Sequence, residues 1–297
     1  MVRGEARSRF ALSAVGVGVL AVSSAAILVR VSGAPALGIA FWRCALGAAL
    51  LLPAVAVRRE LLPVGRPLFV LVVSGVALGA HFGFWISSLG YTSVAASVVI
   101  VSTAPVFVAV FAYLLFGEKT SPVSLVGILV ALAGTAVIAA DRSMGSAALF
   151  GNALALIGAV AVAVYVLIGR SQRTTGVGFL PYSVIVYSAA ALSRLPVALI
   201  GGVQLWDYSG ETWLWLWVIT LGPQILGHTV FNWALGYVEA AIVSGTILAE
   251  PVVAALLAWW ILSEKPGLPT AAGGAVVLVG LFLLLRGHGR SVPPEPV

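Results

Sequence analysis

Charged residues are scarce in this sequence. Only 9% of its 297 residues are Asp, Glu, Lys or Arg, whereas 61% are hydrophobic and the mean hydropathy is +1.11. A soluble domain of this length needs about a quarter charged residues to cover its surface. The composition therefore excludes an ordinary soluble protein and indicates that apolar side chains face lipid.

Cysteine is almost absent as well. The single cysteine, Cys44, lies within an apolar run. A lone cysteine supports neither a disulfide framework nor a thiolate metal site. We interpret Cys44 as a small packed residue, and we expect neither a metal ion nor a cofactor.

Acidic residues are outnumbered by basic ones, which gives a net charge of +6 and a pI near 9.9. In a soluble protein this balance would suggest a nucleic-acid partner. Here the basic residues stand at the ends of apolar segments, where they act as topology signals. We therefore expect the lipid bilayer as a partner and no nucleic acid.

Long apolar runs are what the sequence has in abundance. A membrane-spanning helix needs about 20 predominantly apolar residues. Ten such runs, separated by Gly, Pro, Ser or charged residues, predict ten transmembrane helices. Barrel strands would alternate apolar and polar residues, and these runs do not. The predicted helices cover residues 10–29, 36–57, 68–89, 94–116, 123–140, 151–168, 179–201, 213–235, 240–262 and 271–285.

The chain also contains a duplicated segment. Residues 89–134 align without a gap on residues 235–280, at a constant offset of 146 positions, with 14 identities in 46. Chance in so apolar a composition would give roughly one identity in ten. Such a duplication is typical of a transporter built from two structural repeats with its site between them. The identities include Gly127/Gly273, Gly134/Gly280, Pro105/Pro251, Glu118/Glu264 and Lys119/Lys265.

The distribution of Lys and Arg predicts the orientation of the helices. With both termini in the cytoplasm, eleven basic residues lie at cytoplasmic ends, and only Arg30, Arg142 and Lys265 lie outside. This is the positive-inside pattern of a multi-pass protein of the cell membrane, meaning the inner or plasma membrane. Five helices per repeat is an odd number, so the second repeat enters the membrane from the opposite side.

The predicted fold class is therefore an all-α integral membrane protein with ten transmembrane helices in two inverted-topology five-helix repeats. The first repeat is expected over residues 10–140 and the second over residues 151–286. Residues 287–297 are expected to form a cytoplasmic tail.

Several short motifs occur in the order and spacing of a known family. They are Ile39–Arg43 leading to Leu51–Pro53, Ala104–Val106 leading to Phe116–Glu118, Gly151–Ala155 with Tyr165, and Glu250–Val252 leading to Leu262–Glu264. Together they resemble the ten-helix, EamA-type members of the drug/metabolite transporter superfamily, from about residue 14 to residue 285. The resemblance implies secondary transport of small metabolites, commonly export of amino acids or related compounds. Ser263 departs from the family pattern, which has Gly before this Glu.

Ionisable groups at membrane depth are costly, so they normally pair internally or face a cavity. Glu250 lies near the middle of the predicted ninth helix, directly before Pro251, and the first repeat has Ala104 before Pro105. Both copies thus contain a proline-broken helix, but only one carries a carboxylate. We predict that Glu250 binds the substrate and the coupling proton. A structural ion pair and a neutral packing role remain open.

The predicted eighth helix carries a polar stripe. Gln224, His228 and Asn232 follow one another at intervals of four residues, which places them on one helix face. A polar stripe through an apolar helix is expected to line a space filled by water or substrate. Hydrogen bonding between helices is the alternative.

The predicted third helix presents a similar set at comparable depth, namely His81, Trp85 and Ser88. We interpret both sets as lining a central cavity between the repeats. The family resemblance adds Tyr165 and Asn152 of the sixth helix as cavity candidates.

Two arginines, Arg43 and Arg194, lie within apolar runs. Either could compensate the charge of Glu250 or bind an anionic group of the substrate, while snorkelling to an interface is the alternative for Arg194. Gly75, Gly79 and Gly83 repeat at four-residue spacing, which predicts close helix packing, with a role in rocking motion as the alternative.

The prediction is a secondary active transporter that exports a small metabolite by alternating access, coupled to H⁺ through Glu250. An uncoupled facilitator or exchanger and a lipid-flipping protein of the same fold remain open. A membrane-embedded enzyme is disfavoured, because the sequence has no P-loop, HExxH or GxSxG motif and no paired intramembrane aspartates. The oligomeric state is not predicted.

Overall fold

The structure, a computed structural model, describes residues 14–116, 121–139, 145–234 and 250–288. Within these residues the chain forms ten helical segments and no strand. The segments are α1 Ala14–Val31, α2 Ala36–Arg58, α3 Arg66–Ser88, α4 Val94–Val101 with Ala104–Phe116, α5 Pro122–Ala139, α6 Ser146–Thr174, α7 Phe179–Ile200, α8 Gly210–Ile219 with Thr220–Thr229 and Val230–Ala234, α9 Glu250–Leu262 and α10 Leu268–His288.

Seven of the helices, α1 to α4, α6, α7 and α10, are long and apolar enough to cross a membrane. Their mean hydropathy lies between 1.7 and 2.4. Large apolar side chains also cover the outer surface, where Leu129 is 67% exposed and Trp260 is 81% exposed. Water would penalise such a surface and lipid would not. The predicted all-α membrane fold is confirmed.

Helix α4 is interrupted in its middle. Regular helix ends at Val101 and resumes at Ala104, directly before Pro105. Pro105 has no N–H group to donate to the carbonyl four residues back, so the helix ladder opens there. The hydroxyl groups of Ser102 and Thr103 donate instead to the carbonyl oxygens of Val98, at 2.8 Å, and Ile100, at 2.6 Å.

Helix α8 differs from the continuous α-helix that the sequence predicts. Its middle section, Thr220–Thr229, is a π-helix that contains Pro223. The missing N–H of this proline weakens the α-helical ladder, and a wider turn takes its place. Thr229 closes one such turn, because its hydroxyl donates to the carbonyl oxygen of Gln224 at 3.1 Å. Such π sections occur frequently at functional sites.

The two repeats pack against each other through pairs of helices. The most extensive contacts join α5 with α10, α3 with α6, and α2 and α3 with α7. Contacts also join α4 with α9 and α1 with α8. Helices that occupy the same place in the two repeats, α2 and α7, α4 and α9, and α5 and α10, are thus neighbours in space.

Four glycines build the contact between α5 and α10. A Cβ atom on Gly134 would lie 2.7 Å from the carbonyl oxygen of Gly273, and one on Gly273 would lie 2.8 Å from the carbonyl oxygen of Gly134. Gly127 and Gly280 face each other in the same way. Only glycine allows the two backbones to approach this closely.

This glycine contact is symmetric between the repeats. Gly127 is the sequence equivalent of Gly273, and Gly134 is the equivalent of Gly280, so each repeat offers the same surface to the other. Such reciprocity is the property of an interface with a twofold axis. Residue numbers rise along α5 as they fall along α10, so the two helices are antiparallel. The equivalent helices therefore run in opposite directions, as an inverted repeat requires.

The glycine stripe of α3 packs against α7. A Cβ atom on Gly79 would lie 2.8 Å from the carbonyl oxygen of Ala190. Gly75 faces Ala189 in the preceding turn, so α3 and α7 run parallel at close range. The stripe thus brings together helices of different repeats.

Candidate functional site

A fully buried arginine, Arg43, lies about two turns after the start of α2. Arg43 and Gln224 of the π section of α8 both have no exposed surface. The Nε of Arg43 donates a 2.9 Å hydrogen bond to the Oε1 of Gln224. The guanidinium carbon lies 3.7 Å from the centroid of the Phe82 ring on α3, in cation–π contact. This group joins α2 and α3 of the first repeat to α8 of the second.

The same group contains hydrogen-bond donors without partners. Among the described residues, nothing accepts a hydrogen bond from Nη1 or Nη2 of Arg43 or from Nε2 of Gln224. Buried polar atoms are nearly always satisfied, because an unpaired one costs about 1–3 kcal/mol. A buried charge costs more. Arg43 therefore has more buried hydrogen-bond donors without an acceptor than any other described residue.

His228 joins this group from the same helix as Gln224. Its ring meets the ring of Phe82 edge-on, with the centroids 5.6 Å apart. The predicted stripe thus brings Gln224 and His228 to the two neighbours Arg43 and Phe82. The side chain of Asn232, the third member of the stripe, lies outside the described residues.

A hydrogen bond to α7 holds the end of the π section of α8 in place. The hydroxyl groups of Tyr187 on α7 and Thr229 share a 2.9 Å hydrogen bond. A Cβ atom on Gly47 of α2 would lie 3.2 Å from Cγ of Gln224 and 3.3 Å from the Tyr187 ring. Gly47 therefore leaves the room that both side chains occupy. Phe82, Tyr187 and Thr229 were not among the predicted site residues.

Two of the predicted site residues of α3 contact neighbouring helices, since His81 contacts α6 and Ser88 contacts α4. The Nδ1 of His81 donates to the carbonyl oxygen of Gly158 on α6 at 3.0 Å, and its ring stacks on that of Trp85 at 5.9 Å. The hydroxyl of Ser88 bonds to the carbonyl oxygen of Trp85 at 2.6 Å and to the hydroxyl of Ser97 at 2.7 Å. His81 and Ser88 thus bond within the helix assembly, while Nε1 of Trp85 has no partner among the described residues.

The two candidates on α6 are far apart along that helix. Tyr165 is buried, and its ring centroid lies 6.3 Å from that of Tyr182 on α7. Asn152 lies near the opposite end, where its Oδ1 accepts a 2.8 Å hydrogen bond from the hydroxyl of Thr92. Tyr165 therefore lies between α6 and α7, whereas Asn152 belongs to a polar network at one end of the molecule.

This end network joins the two repeats. Glu264 follows α9, and its Oε1 accepts a 2.7 Å hydrogen bond from the backbone N–H of Val94, the first residue of α4. Its Oε2 lies 3.7 Å from Nη2 of Arg30, which also donates to the carbonyl oxygen of Thr92 at 2.9 Å. A carboxylate at a helix N-terminus is stabilised by the helix dipole.

Glu250 and Pro251 begin the described part of α9, and Glu250 is partly exposed. Within the described residues it forms no ion pair with Arg43 or Arg194. Arg194 instead lines a separate cleft of about 280 Å³ between α2, α3, α6 and α7, beside Phe150 and Val197. The structure thus places the two arginines in different surroundings.

Comparison with known proteins agrees with this architecture. The sequence profile of the EamA-like transporter family matches residues 9–140 and again residues 149–286. An uncharacterized transporter of Archaeoglobus fulgidus is 27% identical over 253 residues, which cover 82% of this chain and 86% of that protein. An uncharacterized transporter of Clostridium kluyveri is 25% identical over 251 residues, covering 80% of this chain and 79% of its own.

A solved crystal structure shares the fold. It superposes with a TM-score of 0.64 at 22% sequence identity, and the match covers 96% of this chain and 99% of the other. The two matches of the family profile fall on the two five-helix repeats. Proteins of this family are transporters and not, in general, enzymes. The chain belongs to the EamA-like transporter family.

Proposed function

We propose that the chain is a secondary active transporter that exports a small metabolite, an amino acid or a related compound, by alternating access. The observation that carries the proposal is the buried polar group between the repeats. Arg43 belongs to the first repeat, whereas Gln224 and His228 belong to the second. A group that spans the repeat interface changes when the repeats move relative to each other.

The twofold contact between α5 and α10 supports the mechanism. Because inverted repeats are related by an axis in the membrane plane, exchanging their conformations turns an inward-open state into an outward-open one. The glycine contacts keep α5 and α10 close together. This pair is proposed as a fixed pivot for the movement.

Glu250 is proposed as the proton-coupling group. It is a carboxylate at the start of the described part of α9, and no ion-pair partner for it occurs among the described residues. A carboxylate without a counter-charge in a membrane protein can take up and release a proton during transport. Protonation would remove its charge and allow the site to turn towards the other face.

The proposed location is the cell membrane, with both termini in the cytoplasm. An aromatic cluster at the starts of α2 and α8 supports the placement of the outer end of the molecule, away from the termini, at a membrane surface. The ring of Trp42 lies 5.2 Å from that of Trp206 and 4.8 Å from that of Trp213, and its Nε1 donates to the carbonyl oxygen of Leu205. Tryptophan is enriched at membrane–water interfaces.

The coupling proposal is tested in proteoliposomes with an imposed pH gradient and a panel of labelled amino acids. We expect the gradient to drive accumulation, and we expect Glu250→Gln to abolish the driven component while the protein still folds. Glu211→Gln is the matched control, because Glu211 is exposed at the first turn of α8. A transport rate that is the same with and without the pH gradient refutes proton coupling, and the protein would then be an uncoupled facilitator or exchanger.

Lipid movement is the second proposal, and the cleft beside Arg194 favours it. Exposed apolar side chains, Phe150 and Val197, line this cleft together with the arginine. A fluorescent phospholipid in the same proteoliposomes tests the idea. Flipping that depends on Arg194 supports it, and no flipping above empty liposomes refutes it.

A further inference from the structure

The buried atoms around Arg43 that lack hydrogen-bond partners are all donors. In the group formed by Arg43 and Gln224, three buried atoms have no partner among the described residues, Nη1 and Nη2 of Arg43 and Nε2 of Gln224, and all three are N–H donors. Both oxygens of Gln224 already accept hydrogen bonds, since its Oε1 accepts from Arg43 and its carbonyl oxygen accepts from Thr229. A ligand that completes these three donors must therefore supply hydrogen-bond acceptors.

The geometry of the guanidinium further restricts which chemical groups can bind there. Its Nε edge is taken by Gln224, and its face lies on the ring of Phe82. The edge that remains carries Nη1 and Nη2, which present two parallel N–H groups. Two oxygens of one planar group match this fork, as in bidentate arginine–carboxylate pairs.

The single positive charge of Arg43 also restricts the charge of the ligand. Arg43 brings one guanidinium charge to this group, and no carboxylate of the described residues forms an ion pair with it. One buried positive charge balances one negative charge, whereas a phosphate dianion would leave a second charge uncompensated in an apolar interior. The balance favours a carboxylate.

We infer that Arg43 and Gln224 form a subsite that binds the carboxylate group of the transported substrate end-on. The inference rests on the proposed function, because it names the chemical class of what is carried. The subsite joins α2 of the first repeat to α8 of the second, and both side chains are fully buried. The carboxylate therefore enters when the repeats separate and is enclosed when they close.

Binding to the purified full-length protein tests the inference directly. The probes are matched pairs, L-leucine with L-leucinamide, L-tryptophan with L-tryptophanamide, and hexanoate with hexanamide, followed by thermal stabilisation. We expect each carboxylate to bind about 10- to 100-fold more tightly than its amide, because the charged hydrogen bonds are lost in the amide. Equal binding within each pair, or binding of no carboxylate, overturns the inference. Tighter binding of inorganic phosphate also overturns it.

A substitution within the subsite gives a second, independent readout. Gln224→Glu places a carboxylate beside the guanidinium of Arg43, which has no counter-ion among the described residues, so we expect a higher melting temperature together with loss of discrimination between each acid and its amide. The buried charge gains its counter-ion from the chain itself. A lower melting temperature, or discrimination that persists, contradicts the inference. Arg58→Gln is the matched control, because Arg58 is exposed in the last turn of α2, and it should leave discrimination unchanged.

Failure of this inference and failure of the proposed function give different results. If the protein transports neutral compounds in proteoliposomes and Arg43→Gln retains that transport, transport stands and the carboxylate subsite does not. If carboxylates bind and Gln224→Glu abolishes the binding, but no compound crosses the membrane, the subsite stands and the transport function does not.

Discussion

The contact between α5 and α10 predicts a large loss of stability for Gly134→Leu. A Cβ atom on Gly134 would lie 2.7 Å from the carbonyl oxygen of Gly273 and 2.7 Å from the backbone nitrogen of Val277, whereas ordinary contact begins at 3.4 Å. Both atoms belong to the backbone of α10, so the neighbours cannot move aside as flexible side chains would. The helices must separate, which breaks the packing along both.

The magnitude follows from two opposing terms. Overpacking a close contact costs about 1–3 kcal/mol, and more when backbone must move. Replacing glycine within a helix returns up to about 1 kcal/mol through helix propensity. Because backbone must move, we take the upper end of that cost, so we expect Gly134→Leu to lower the free energy of unfolding by about 2 kcal/mol, which corresponds to a decrease of about 4–8 °C in melting temperature.

The assay is thermal unfolding of the purified protein in detergent, followed by tryptophan fluorescence. Gly280→Leu should cause a similar loss, because Gly280 occupies the equivalent position in the second repeat. Gly16→Leu is the control, since a Cβ atom on Gly16 of α1 would meet nothing within 4 Å. If Gly134→Leu is as stable as Gly16→Leu, the close glycine contact is wrong.

Two other substitutions test the polar contacts. Glu264→Gln should lower the free energy of unfolding by about 0.5–1 kcal/mol, because it removes a partly exposed ion pair with Arg30 and a charge at the N-terminus of α4. Arg30→Gln should then cost less in the Glu264→Gln background than alone, because only its bond to the carbonyl oxygen of Thr92 is left to lose, and fully additive losses in chemical unfolding would contradict the ion pair. Tyr187→Phe removes the hydrogen bond to Thr229 and should cost about 0.6 kcal/mol in the same assay. A loss several times larger would mean that this bond holds the π section of α8 by itself.

Most of the fold could be predicted because its main signals are local. Hydrophobic length determines where a chain can cross a membrane, and the predicted runs agree with the helices to within a few residues at most of the ends that the structure describes. The predicted ends at residues 10, 140, 235 and 240 lie outside the described residues. Helix α6 is an exception, because it extends to Ser146 and Thr174, beyond the predicted 151–168. Helices continue past the apolar core wherever neighbouring helices or water satisfy the backbone, and hydropathy does not record this.

The partners in the candidate site could not be predicted from the sequence. Gln224 was identified because an amide is costly in an apolar helix. Its partner Arg43 is 181 residues away, and the ring of Phe82 that supports the guanidinium resembles any other apolar residue in the sequence. For His81 the sequence hid a backbone partner. We expected this residue to line a cavity, and in the structure its ring bonds to the carbonyl oxygen of Gly158. A glycine that lets two helices approach offers a polar side chain a backbone partner that sequence patterns do not reveal.

The opposite orientation of the two repeats is the central claim, and cysteine accessibility from the two membrane faces measures it most directly. Cys44, the only native cysteine, is buried and can be replaced by Ala to give a silent background. Single cysteines then replace Lys119 and its repeat equivalent Lys265, and each is labelled with a membrane-impermeant maleimide in intact cells and in inverted vesicles. We predict labelling at position 265 only from outside and at position 119 only from the cytoplasmic side. Labelling of both positions from the same face would contradict the inverted repeat and the alternating-access mechanism built on it.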